Sequence, residues 1–100
     1  MPTWNLSVLR CGDDTLYTGI ATDVDRRLEE HRSSTVGAKY LRGRGPLQIM
    51  LQKEVGDRSL ASRLEYRFKR LSRAQKLRYC DVPTELDSII DELASRASAS

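Results

Sequence analysis

Between Leu16 and His31 the chain reads LYTGIATDVDRRLEEH, and three of its side chains are of types that attack or hold a phosphodiester. Tyr17 brings a phenol, Arg27 a permanent cation, and His31 a ring that titrates near neutrality. Arg27 and His31 are one helical turn apart, so on a helix they share a face, turned toward the strand end that carries Tyr17. In such a group Arg meets the charge that grows on a phosphate under attack, and Tyr or His moves a proton. Arg26, one residue earlier, is rotated by about 100° around the helix and faces elsewhere. Glu65, in RLEYRFK, is the single acid among seven basic residues from Arg63 to Arg78. A carboxylate isolated among cations is what one hard divalent ion requires, and Mg²⁺ takes one or two carboxylates before water and substrate phosphate complete its shell.

Each of these residues also has a plainer reading. Tyr17 can be a cross-strand packing residue. Arg27 can pair with Asp23 four positions back, His31 can sit on a helix C-terminal dipole, and Glu65 can pair with Lys69 at i+4. By charge pattern alone the Glu65–Lys69 pair is favoured.

The elements that must position these groups follow from the pattern. Trp4 to Leu9 and Leu16 to Ile20 are short apolar-rich runs separated by the turn residues Cys11-Gly-Asp-Asp-Thr15, which predicts a β-hairpin. Thr22 or Asp23 caps a helix to about Arg32, with Val24 and Leu28 facing inward. Residues 33–45 are rich in Gly, Ser and basic side chains and read as a loop. Leu47 to Val55 alternates as a third strand. Asp57 or Ser59 caps a helix whose Leu60, Leu64, Phe68 and Leu71 recur at helical spacing, with a short helix from Arg73 to Tyr79 after it. Pro83 opens a last helix with Leu86, Ile89, Ile90 and Leu93 on its apolar face. The Ala/Ser tail after Arg96 is expected to fray. The order β-β-α-β-α-α gives an α+β fold, a small three-stranded antiparallel sheet flanked by helices. Residues 1–80 form the main unit, with 81–100 an acidic helix and tail packed on or extending it.

A length of 100 residues with 39% hydrophobic content suits one modest core. No apolar run approaches the roughly 20 residues of a membrane span, and no basic-then-apolar leader opens the chain, so a cytoplasmic location is expected. Cys11 and Cys80 are far apart without neighbouring ligands and read as two reduced thiols. The net charge is +3, but it is unevenly spread. Arg32, Lys39, Arg42 and Arg44 come without an acid between them, and the final helix is acidic. A basic middle favours nucleic-acid backbones through counterion release, and a solvated helix surface explains it equally. Lys39, Tyr40, Arg42, Arg44, Arg63 and Lys69 are the candidate nucleic-acid contacts, with Tyr40 able to stack on a base.

Tyr17-Thr18-Gly19, then Asp23-x-x-x-Arg27-x-x-x-His31, then a helical Glu65 resemble the GIY-YIG nuclease domain. The likeness runs from about Trp4 to Leu77, and GAKYLRGRGPL and VGDRSLASRLEYRFK resemble the small stand-alone bacterial branch. The resemblance implies a catalytic set of Tyr17, Arg27, His31 and Glu65, with Glu65 holding a single Mg²⁺ or Mn²⁺. Tyr17 is then the base or water-positioning group, Arg27 holds the scissile phosphate, and His31 hydrogen-bonds the nucleophile or phosphate. Gly19 lets backbone or ligand come close.

Two departures stand out. The tyrosine of GIY falls at Ser7, whose hydroxyl cannot ionise at accessible pH, and the late asparagine of many members is missing. The expected activity is a divalent-metal-dependent endonuclease acting on DNA phosphodiesters, a monomer selecting branched, nicked or damaged structures, as in DNA repair, rather than a sequence. The alternatives are a catalytically silent nucleic-acid-binding module that lost turnover at Ser7, and a protein-interaction domain whose acidic final helix is the contact.

Overall fold

The computed structural model describes residues 2–23, Arg26 and 47–99, with side chains to Arg96. Strand β1 (Trp4–Arg10) turns through residues 11–15 into β2 (Leu16–Ala21). The Cys11 N–H donates to Thr15 O at 2.9 Å, and the Asp14 N–H to Cys11 O at 2.9 Å. Asp14 takes φ = 70°, a left-handed conformation that a short polar side chain tolerates. Its carboxylate is gripped by Arg10 at 2.7 Å and Arg73 at 3.0 Å, which ties the hairpin to the helical layer.

Strand β3 (Gln48–Gly56) pairs antiparallel with β1 on its other side, so the sheet order is β2-β1-β3 and β2 is an edge. Alternation divides the side chains. Leu6, Val8 and Leu51 are buried on one face, with Leu16 and Ile20 packed against them, while Leu9 and Cys11 lie on the other with Leu47, Tyr17 and Ile49.

Helix α1 (Arg58–Lys69) covers the first face with Ala61, Leu64 and Phe68. Its start is built from two residues. Gly56 has φ = +149°, which a side chain resists, and the Asp57 carboxylate accepts from the Leu60 N–H at 2.8 Å. Asp57→Ala is therefore expected to cost about 1 kcal/mol, read as a lowered midpoint in thermal unfolding; an unchanged midpoint would remove the cap from the account.

Helix α2 (Arg73–Asp81) begins with a capping box, Ser72 and Gln75 satisfying each other's backbone N–H groups. A 3-10 turn at Pro83–Glu85 leads into α3 (Leu86–Ala99). Leu86 and Leu93 join the cluster of Leu6, Val8, Leu64 and Phe68. The helix continues to Ala99, beyond the point where the tail was expected to fray, which accords with the helix preference of alanine. The three-stranded antiparallel sheet with helices packed on it is the α+β arrangement the pattern predicts. Cys11 and Cys80 are free thiols, and burial with Asp81 nearby pushes the Cys80 thiol up. Among the described residues no helix is long and apolar enough to cross a membrane.

Candidate active site around the β2 edge

Tyr17 stands on the sheet face that α1 does not cover. Its strand partner is Leu9, and the phenol ring leans along the strand over Gly19, where an added Cβ would sit 3.5 Å from Tyr17 Cε1. A side-chain Cβ at Gly19 would make only an ordinary contact with the ring, and Gly19 lies inside β2 rather than at its end, since the strand runs on to Ala21.

Ser7 pairs with Gly19 and shares the face of Tyr17, as alternation requires. It is 7% exposed, and its Oγ donates to Gly19 O at 3.4 Å. The hydroxyl at the GIY position is therefore engaged with the β2 backbone. Asn5, the only asparagine, donates to Ala21 O at 3.4 Å and so serves the strand ends.

Glu65 belongs to the helix beneath the opposite face, and its side is fixed by the neighbouring helix. Lys53 of β3 pairs with Asp87 of α3 at 2.6 Å, which sets α3 under the β3 side of the sheet. Arg67 turns to Glu92 of α3 at 3.3 Å. Residues two apart on a helix diverge by about 160°, so Glu65 points away from α3, toward the β2 edge. Tyr17 and Glu65 thus flank the same edge strand from its two faces.

The Glu65 side chain is 25% exposed, between buried Ala61 and Phe68 along the helix, and Lys69 Nζ lies 3.8 Å away. That pair is at the limit of an ion pair, and an i, i+4 contact of this kind contributes only a few tenths of a kcal/mol. Lys69 is accordingly placed as the Glu65 partner.

The remaining candidates divide clearly. Asp23 accepts from the Arg26 N–H at 3.0 Å, the geometry of a helix cap, and Arg26 is exposed. Val24, Arg27, Leu28, His31, Lys39, Tyr40, Arg42 and Arg44 lie outside the described residues. Arg63 stands in a groove between α1 and α3 with Tyr66, Arg67, Arg70 and Arg96. Those four companions were not singled out in the sequence; the available signal was the i, i+4, i+7 spacing of Arg63, Arg67 and Arg70.

For a divalent ion the donor set is small. Among the described residues no three His, Cys, Asp or Glu side chains cluster. One partly exposed carboxylate beside the edge suits a hydrated ion completed by substrate phosphate, the way Mg²⁺ is often held.

Comparison with known proteins matches residues 4–78 to the model of the GIY-YIG catalytic domain. A UPF0213 protein of Serratia proteamaculans is 48% identical over 98 residues, covering 97% of this chain and 95% of that one. The UPF0213 protein YhbQ of Escherichia coli K12 is 53% identical over 78 residues, 78% of this chain and 77% of that one. Two solution NMR structures share the fold. The UPF0213 protein BH0048 of Bacillus halodurans has a TM-score of 0.52 at 40% identity, covering 80% of this chain and 84% of that one. EF2693 of E. faecalis has a TM-score of 0.60 at 38% identity, covering 82% and 86%.

Proposed function

The chain belongs to the GIY-YIG family, a nuclease superfamily whose substrates are nucleic acids, and from that premise we propose that it is a divalent-metal-dependent endonuclease that hydrolyses DNA phosphodiesters. The observation that supports the reading is the match of residues 4–78 to the GIY-YIG catalytic domain, with Tyr17 on the sheet face that α1 does not cover and Glu65 a partly exposed carboxylate on α1. Glu65 would hold Mg²⁺ or Mn²⁺, which when bound polarises the scissile phosphate. Tyr17 orients the attacking water, whose proton passes to the Tyr17 phenolate or to the neutral His31 ring. Arg27 carries the charge that develops on the phosphate oxygens. No covalent intermediate is needed. So small a surface favours branched, nicked or damaged DNA over a particular sequence.

A second reading, a silent nucleic-acid-binding module, is favoured by one observation: the side chain at the GIY position is a buried serine occupied with Gly19 O. The third, an interaction domain using the acidic helix, is disfavoured because three of the region's five acids already have partners. Asp87 pairs with Lys53, Glu92 with Arg67 and Arg96, and Glu85 with Arg78 through two bonds.

The test is incubation with nicked, flapped and branched DNA in Mg²⁺ or Mn²⁺, with a chelator arm. Metal-dependent products are expected. Salt-sensitive binding without product in any arm establishes the silent module instead.

A further inference from the structure

We propose that the arginine groove between α1 and α3 is a second nucleic-acid contact, binding single-stranded nucleic acid with its backbone on the arginines and a base stacked on Tyr66. The inference rests on the nucleic-acid reading of the chain but concerns a surface the hydrolytic site does not use. The groove encloses about 560 Å³ and is floored by Leu93. It lies on the helical side of the molecule, with the sheet between it and the face that holds Tyr17.

Charge is strongly one-sided there. Arg63, Arg67, Arg70 and Arg96 face a single carboxylate, Glu92, which is shared by Arg67 at 3.3 Å and Arg96 at 2.9 Å. Arg63 makes no ion pair among the described residues. Three of the cations therefore stand in excess, and the spacing of Arg63, Arg67 and Arg70 spans about 10 Å of helix, a length comparable to about three nucleotides of one strand.

Tyr66 supplies the second, independent feature. A solvated tyrosine on an outer helix face has no core to serve, and this one is 66% exposed. It is not loose. The Arg70 guanidinium lies over the ring, 5.4 Å from its centroid, and donates from Nη1 to the Tyr66 hydroxyl at 2.9 Å, so the ring is held with a cation over one face and a base can stack only on the other. Aromatic rings that stack bases, with arginines adding cation–π contacts, are how sequence-tolerant single-strand sites hold nucleic acid. An acidic peptide would satisfy the arginines but has no base to place on the ring. Base pairs inside a duplex hide their faces in the stack, whereas the single-stranded arm of a flap or fork offers them.

The experiment is fluorescence anisotropy of a labelled oligothymidylate and a labelled forked duplex against wild type and three surface variants, each checked for an unchanged melting temperature. Tyr66→Ala is expected to weaken oligothymidylate binding roughly 5- to 100-fold, and Tyr66→Phe, which keeps the ring, to restore most of it. Arg63→Gln should reduce the slope of log K against log salt by about 0.7. If wild type binds while Tyr66→Ala and Arg63→Gln bind as it does, the groove assignment is overturned and the nucleic-acid reading of the chain stands. If wild type binds neither DNA, both fall together. If polyglutamate displaces oligothymidylate only when Tyr66 is intact and binds as tightly, the groove is an acidic-peptide dock and the proposal is wrong.

Discussion

Tyr17→Phe and Glu65→Gln are each expected to leave the fold intact and to lower cleavage of branched DNA by about 10²–10⁴-fold and about 10²–10³-fold respectively. The structure makes both changes conservative. A phenylalanine at 17 keeps the ring over Gly19 and its contacts with the cluster of Leu9, Cys11 and Leu47. A glutamine at 65 keeps the length of a side chain that flanks the buried stripe, and the long contact with Lys69 that it weakens contributes little. Their kinetic signatures differ. Glu65→Gln should raise the Mg²⁺ concentration needed for half-maximal rate, because a neutral amide is a poorer ligand for a hard cation. Tyr17→Phe should leave that titration unmoved and lower the maximal rate. Cleavage with an unaltered metal titration in Glu65→Gln would end the metal-ligand role, and undiminished cleavage in Tyr17→Phe would end that of the phenol.

What the sequence made legible was whatever local chemistry decides. The hairpin follows from two apolar runs around Cys11–Thr15, the start of α1 from Asp57, its core face from Leu60, Leu64 and Phe68, and the last helix from Pro83 and the stripe ending at Leu93. The pairing of Glu65 with Lys69, weighed against a metal role, is present but stretched to 3.8 Å. What was not legible depends on elements distant in the chain. That Tyr17 and Glu65 approach one edge from opposite faces required the order β2-β1-β3 and the position of α3. The purpose of the acidic last helix was equally hidden, since Lys53, Arg67 and Arg78, which its region pairs with, are spread over three earlier elements. The groove is the same case: Arg96 reaches Arg63, Arg67 and Arg70 only through the packing of Leu93 against α1.

Phe68→Ala is expected to destabilise the protein by about 3–5 kcal/mol, the largest loss of stability any single side chain here should produce. Phe68 is 1% exposed, and among the described residues it is the largest of the fully buried side chains. It joins the sheet residues Leu6 and Val8 to Leu86 and Leu93 of α3, with the Tyr79 ring 6.3 Å away, so its removal empties the point where all layers meet. These side chains come from three separate elements, β1, α2 and α3, and cannot collapse together to fill the void, which places the cost in the upper part of the range for such truncations. A domain of this size holds only about 5–15 kcal/mol in total, so roughly a fifth or more of the margin goes with one ring. Urea unfolding followed by tryptophan fluorescence, with Trp4 as the single reporter on β1, measures the change in midpoint at constant slope. Leu86→Ala should cost about 2–5 kcal/mol in the same single transition, because that residue is 0% exposed in the same cluster. Two separate transitions would show that residues after 81 fold apart from the sheet, and a loss below about 1 kcal/mol for Phe68→Ala would mean that this ring does not bind the layers together.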